Sequence, residues 1–140
     1  MFTDKNQQAI YESFLGKTIR TIDLKNNELF LYFTDNTACV LTDSACYCCE
    51  ERYTSTDDNL QDYVSGVLLE IEVRNWAQSD NDNDVQFVVI KTSKEPFTLV
   101  NHNNHNGYYA GFELTIDANV DMSSEPIGPK NKVKRLRKRN

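Results

Sequence analysis

The stretch VLLEIEVRNW, residues 67–76, alternates apolar and charged side chains and sets the interpretation of the whole chain. A period of two is typical of a strand with one buried face. The apolar side is predicted to be Val67, Leu69, Ile71 and Val73, and the solvent side Glu70, Glu72 and Arg74. The segment therefore predicts a half-buried β-strand.

Further strands are predicted on both sides of this segment. Before it, TIRTIDLK, ELFLYF and TACVLTD form a meander whose first turn is Asn26–Asn27, a pair that tolerates positive φ. After it, VQFVVIKT, PFTLVNH and GYYAGFELTI follow, with the acidic stretch AQSDNDNDV as a loop and SKEP and HNNHNG as turns. The spacing predicts two antiparallel meanders.

Two short helices complete the predicted fold. The first lies in DKNQQAIYESFLG, with Asp4 as its N-cap, an Ile10–Phe14 apolar pair and Gly16 as its stop. The second starts at Ser55 or Thr56 and buries a face formed by Leu60, Tyr63 and Val64. The expected fold class is α+β, an antiparallel sheet of about six strands with two short helices.

The charges are distributed unevenly. Residues 130–140 hold seven of the fifteen basic residues and no acid, so residues 1–129 carry eight basic and twenty-one acidic residues, a balance of −13. An acidic body repels nucleic acid and is drawn towards basic surfaces. We expect one α+β domain over residues 1–118 and a flexible, disordered basic tail over 119–140.

The chain has no apolar stretch long enough to span a bilayer, and MFTDKNQQ lacks a signal-peptide layout. We therefore expect a cytoplasmic monomer without a membrane partner. In a reducing cytosol, clustered cysteines indicate a metal site more often than disulfides.

A zinc site is the main chemical hypothesis. Two residues separate Cys46 from Cys49, and two residues separate His102 from His105. Two such pairs in loops supply four donors for a tetrahedral Zn²⁺ ion. Cys48 is the substitute or fourth ligand, since an extended segment puts Cys46 and Cys48 on one face. The open alternative is that these side chains are packing and surface residues.

Catalysis is not expected. The chain has no phosphate loop, no nucleophile elbow and no HExxH motif, and the acids beside the cysteines oppose thiolate formation. Cys39, within TACVL, is predicted to be a core residue. Four protein ligands would leave the zinc ion no open position for water, so the zinc is expected to be structural.

The pair of motifs CCE (48–50) and NGYYAGFELTI (106–116) resembles a family of small uncharacterised domains carried by phages and prophages, over roughly Leu15 to Ile116. With its size, acidity and cysteine–histidine set, the chain is also similar to metal-binding type II anti-CRISPR proteins, phage inhibitors of Cas9. The resemblance implies a stoichiometric binder of Cas9 in the host cytoplasm, although the basic tail departs from a simple acidic mimic. The alternative is sequestration of a nucleotide signal near Tyr108, Arg74 and Trp76.

Overall fold

The computed structural model describes residues 2–46, 50–77, 83–105 and 111–127, and for residues 75–77 and 105 it describes the backbone alone. These residues form one α-helix, α1 (Lys5–Phe14), and two short 3₁₀ turns, Leu60–Tyr63 and Met122–Ser124. The strands are β1 Ile19–Lys25, β2 Glu28–Phe33, β3 Ala38–Asp43, β4 Glu50–Ser55, β5 Leu68–Ala77, β6 Asn83–Thr92, β7 Phe97–His105 and β8 Leu114–Asp117.

The eight strands of the described residues form two antiparallel sheets of four. Sheet 1 has the order β1-β2-β3-β8, and sheet 2 has the order β4-β7-β6-β5. The protein is therefore mostly β, and the predicted α+β fold with one sheet of about six strands is wrong in its sheet count and helix content. The predicted Asn26–Asn27 turn is confirmed, because both residues have positive φ, 52° and 63°, and join β1 to β2.

The first predicted helix is confirmed and the second is wrong. In α1, the Asp4 side chain accepts a hydrogen bond from the Gln7 amide, and Gly16 follows the helix with φ at +88°. Ser55, a predicted cap of the second helix, instead ends β4. Asn59 caps the 3₁₀ turn Leu60–Tyr63 that takes the place of that helix.

Three strand predictions also need correction. β4 has the polar sequence EERYTS and was not predicted, while β7 continues through His105, so both histidines lie in a strand and not in a turn. In the last predicted strand, only Leu114–Asp117 is extended among the described residues, and residues 106–110 lie outside them. The predicted acidic loop lies partly outside the described residues, at 78–82.

An irregularity in β5 changes its predicted faces. The register with β6 shifts between Leu68 and Glu70, which marks a β-bulge. As a result, Leu68 and Ile71 are buried, whereas Leu69 is 53% exposed. The simple alternation of residues 67–73 fails because the bulge inserts one residue out of phase.

The two sheets and α1 share one hydrophobic core. Cys39 is completely buried in it, as predicted, and burial raises the pKa of its thiol to about 12. The 3₁₀ turn Leu60–Tyr63 packs against the same core through Leu60 and Tyr63. The largest fully buried core side chains include Phe33, Phe97, Ile19, Leu29, Leu31, Leu68, Ile71, Ile90 and Val88.

The described part of the predicted tail, residues 119–127, contacts sheet 1. Glu125 accepts hydrogen bonds from the Arg20 guanidinium at 2.7 and 3.0 Å, and the Ser124 and Tyr32 hydroxyl groups are 3.0 Å apart. Residues 128–140, which include the basic run, lie outside the described residues. Within the described part of the chain, α1 is the only α-helix, and with ten residues it is too short to cross a bilayer.

Candidate functional site

The inner face of sheet 2 changes from apolar to polar along β7. Phe97 and Leu99 are buried at the start of the strand, and Asn101 and Asn103 are buried further along it. Burying an amide costs free energy unless it is hydrogen-bonded. We call the region around Glu50, Arg52, Asn101 and Asn103 the polar end of sheet 2.

Arg52 is the centre of the polar end. Its guanidinium donates to Asp43 at 2.9 Å, to Glu50 at 3.1 Å and to the carbonyl oxygen of Gly111 at 2.8 Å. The three charged side chains are almost buried, with exposed fractions of 13% for Arg52, 7% for Asp43 and 2% for Glu50. The network therefore ties β3, β4 and the segment before β8 together.

Buried amides extend this network across sheet 2. The amide nitrogen of Asn103 donates to Glu50 at 2.7 Å, while its oxygen Oδ1 is buried without a hydrogen-bond partner in the described structure. Asn101 donates to Gln86 at 2.9 Å and accepts from Thr54 at 2.6 Å. A buried oxygen without a partner is costly, so the polar end is not optimised for stability alone.

Of the predicted zinc ligands, the structure describes Cys46, His102 and the backbone of His105. Cys46 is an exposed free thiol, and the described backbone of His105 pairs with Glu50. Cys48 and Cys49 lie outside the described residues, as does the His105 side chain. The β4–β7 register pairs Glu50, the first residue of β4, with His105, and Glu50 directly follows Cys49 in the chain.

His102 has a different environment from the one expected of a turn ligand. Its ring stacks on Tyr53 with centroids 4.2 Å apart, and its Nε2 atom lies 2.8 Å from the Ser55 hydroxyl. Burial lowers the pKa of His102 below its usual value. β7 continues through His105, so the backbone of both histidines belongs to a strand and not to the turn that the sequence predicted. The described residues alone contain no group of three metal-binding side chains.

The opposite end of sheet 2 carries carboxylates on its surface. Asp57, Asp58, Asp62 and Glu95 surround the 3₁₀ turn Leu60–Tyr63 and the β6–β7 turn, and we call them the acidic end. Burial first, and then the charges of Asp58, Asp62 and Glu95, raise the pKa of Tyr63. The four carboxylates therefore concentrate negative charge on this surface.

One lysine, Lys94, precedes Glu95 beside the acidic end, against four carboxylates there. Six of the eight basic residues in 1–129, all of which the structure describes, form ion pairs with carboxylates elsewhere. These pairs are Lys17–Asp35, Arg20–Glu125, Lys25–Asp23, Arg52–Asp43 and Glu50, Arg74–Glu72, and Lys91–Glu70 and Glu72. Among ion pairs within the described residues, none includes a carboxylate of the acidic end.

The alternative nucleotide site is represented only by Arg74 among the described side chains. The side chain of Arg74 is 63% exposed and pairs with Glu72 at 3.0 Å. Hydrogen bonds from Arg74 and Lys91 lower the pKa of Glu72 to about 2. Trp76 is described by its backbone alone and Tyr108 lies outside the described residues, so the structure does not assemble that pocket.

The fold and its charges define a small, mostly-β protein with an acidic surface at one end and a buried charged network at the other. Residues 12–114 match a family described as a domain of unknown function, DUF7448. The match covers 103 of the 140 residues, and the chain belongs to this family. The matched range includes both ends of sheet 2. A comparison with curated proteins found no match.

Proposed function

We propose that this protein is an acidic interaction protein that binds a basic surface on a bacterial defence nuclease. By the resemblance of its sequence motifs, the partner is Cas9, and binding blocks its use of guide or target DNA. The observation that carries the proposal is the acidic end, whose four carboxylates stay outside the ion pairs that involve six of the eight cations in residues 1–129. Binding, and not catalysis, is the proposed activity.

Electrostatics explains why such a surface suits a nuclease. Channels that hold nucleic acid are rich in lysine and arginine, which bind phosphates. Exposed carboxylates that outnumber the cations near them, as four carboxylates outnumber Lys94 at the acidic end, attract basic surfaces and accelerate association with them. Asp57, Asp62 and Glu95 are all exposed, so their charges are available to a partner. The carboxylates would then occupy the positions of phosphates.

We also propose that a zinc ion closes the other end of sheet 2. The preferred ligands are Cys46, Cys48, Cys49 and His105, because Glu50, which follows Cys49 in the chain, pairs with His105. His102 remains the substitute, although it already bonds Ser55 and stacks on Tyr53. Four protein ligands would make this zinc structural, in keeping with a binding function.

Size-exclusion chromatography with a Cas9–guide RNA complex tests the binding surface. The wild-type chain should co-elute with the complex, and Asp57→Lys/Asp62→Lys/Glu95→Lys should not. The matched control Glu12→Lys/Glu51→Lys/Asp117→Lys makes the same charge change at exposed positions outside the acidic end and should still co-elute. Equal loss in both variants would show that net charge alone matters and would refute the assigned surface.

The same preparation tests the alternative function. A nucleotide sink would release a nucleotide at a fixed molar ratio when the purified protein is denatured. The wild-type chain should release none, because the described cations are mostly paired with carboxylates. A stoichiometric nucleotide together with no co-elution would favour sequestration over Cas9 binding.

A further inference from the structure

A cleft of about 650 Å³ opens beside the N-terminal end of α1. Its walls come from both sheets, with Val73 and Gln86 on the side of sheet 2 and residues 112–115 on the side of sheet 1. This volume lies within the usual range for ligand-binding sites. The cleft is lined by different residues from the acidic end and from the predicted zinc ligands.

The cleft continues a gap between two sheet edges that α1 partly fills. β5 is an edge strand of sheet 2 and β8 is an edge strand of sheet 1. From α1, the Tyr11 hydroxyl oxygen accepts from the Ile71 amide at 3.2 Å, and the Gln7 side-chain oxygen accepts from the Ile116 amide at 3.1 Å. The helix therefore caps one outward-pointing N–H group on each edge.

Next to these capped positions, both edges are open to the cleft. In an antiparallel strand, residues two apart direct their N–H and C=O groups to the same side. Val73 follows Ile71 by two residues, and Leu114 precedes Ile116 by two, so both present backbone groups outward, and both line the cleft. Among the described residues, neither amide has a hydrogen-bond acceptor outside its sheet. An unpaired edge is a template for another strand.

The side chains of the cleft favour a cation. Asp4 and Glu113 line it with Phe2 and Phe112, and no lysine or arginine of the described residues does so. Carboxylates form charge-assisted hydrogen bonds with lysine and arginine, and aromatic rings attract the same cations. The Phe112 ring already lies 5.7 Å from the Arg52 guanidinium within the protein. Anionic ligands such as nucleotides are disfavoured in these surroundings.

We infer that this cleft binds an extended, basic peptide segment of a partner protein, which pairs with the β8 edge at Leu114. β8 is the chosen edge because its first two residues, 114–115, and the two residues before them, 112–113, line the cleft without a break. A lysine or arginine of the segment lies beside Glu113 and the phenylalanine rings. This mode of recognition combines backbone pairing with one charged side-chain contact. The inference does not depend on the proposed function, since the acidic end is a separate surface.

Fluorescence anisotropy with the full chain tests the inference. The probe is a labelled peptide of about seven residues that alternates lysine and valine, a typical strand length. It should bind, and the same peptide with glutamate in place of lysine should not. A strand paired along one edge uses every second amide. N-methylation of the peptide amides that face the β8 edge should therefore abolish binding. N-methylation of the other set of alternate amides should leave binding unchanged.

Two matched variants assign the site. Glu113→Lys should weaken probe binding by about tenfold or more, which corresponds to about 1.4 kcal/mol. Glu51→Lys makes the same charge change at an exposed residue outside both the cleft and the acidic end, and should change binding less than about twofold. Equal weakening by both variants, or equal effects of N-methylation on the two sets of amides, would overturn the inference. A further full-length variant replaces the seven cations in 130–139 with glutamine. Tenfold tighter probe binding by this variant would also overturn the inference, because the chain's own basic run would then occupy the cleft.

Discussion

The two ends of sheet 2 use charge in opposite ways. At the acidic end, the interior is apolar, with Phe97 and Leu99 buried, and the carboxylates lie outside ion pairs on the surface. At the polar end, Arg52 and Glu50 are almost buried and pair with each other. The ends are separated by most of the nine-residue strand β7, roughly 25 Å.

Under the proposed function, this difference separates the part that holds the fold from the part that would recognise a partner. Apolar burial at the acidic end stabilises the sheet without using its charges, so its carboxylates remain available on the surface. A buried ion pair adds little net stability against an apolar replacement, but it is costly to break. We therefore interpret the acidic end as the recognition surface and the polar end as a structural connection.

The largest expected effect concerns the proposed zinc ion. Elemental analysis of protein purified without added metal should find about one zinc ion per chain, and Cys49→Ser and His105→Ala should each lose it and lower the melting temperature. Cys39→Ala should keep the zinc because Cys39 is buried in the core, and His102→Phe should keep it because the ring stacks on Tyr53.

The controls decide between two interpretations of the zinc result. Zinc retained in full by both Cys49→Ser and His105→Ala would contradict the ligand assignment. If His102→Phe lost the zinc and His105→Ala kept it, His102 would be the ligand in place of His105. The pairing of Glu50 with His105 would then have no part in placing the zinc ligands.

Substitution of a buried side chain at either end should lower the free energy of unfolding by a similar amount, but for different reasons. Phe97→Ala removes a fully buried ring and should lower the free energy of unfolding by about 3–5 kcal/mol. Arg52→Met leaves the buried Asp43 and Glu50 carboxylates without their cation and should cost about 3–5 kcal/mol. Urea denaturation measures both values.

Arg74→Met is the matched control for Arg52→Met. Its ion pair with Glu72 is exposed, so Arg74→Met should lower the free energy of unfolding far less than Arg52→Met does. Arg52→Met and Arg74→Met with equally small costs would show that the polar end does not connect β3 and β4.

A smaller effect is expected from the protonation of His102. Burial lowers its folded-state pKa below the unfolded value near 6.5, so the unfolded chain binds the proton more tightly. The corresponding stability is fully present above pH 6.5 and is lost as the pH falls through the folded-state pKa. His102→Phe should abolish this pH dependence while keeping an aromatic stack on Tyr53.

Urea denaturation between pH 7.5 and 5, in the presence of a chelator to exclude metal release, measures the His102 effect. Stability that is independent of pH in the wild-type chain, or the same pH dependence in wild type and His102→Phe, would contradict the assignment to this ring.

Local sequence signals predicted the parts of the fold that depend on neighbouring residues. Asp4 and Gly16 marked the first helix, Asn26–Asn27 marked a turn, and Cys39 was correctly placed in the core. Each of these depends on backbone conformation or on a short apolar pattern. Such signals do not state how strands are distributed between sheets, so the two-sheet arrangement was missed.

The polar end was missed because its interior contradicts the usual apolar pattern. β4 has no apolar alternation, and its inner residues, such as Arg52, are buried only through long-range contacts with Asp43 and Gly111. The run from Asn101 to His105 resembles a strand end and a turn because asparagine favours turns. The cysteine and histidine spacings were visible in the sequence, but β7 extends through His105, so the two histidines lie in a strand and not in a turn.

The most direct test of the proposed function is a titration of DNA cleavage by the Cas9–guide RNA complex against the full chain. We expect suppression at a near-equal molar ratio, weaker suppression at high salt, and normal cleavage with Asp57→Lys/Asp62→Lys/Glu95→Lys. Unchanged cleavage in molar excess of the wild-type chain, or full suppression by the acidic-end variant, would contradict it.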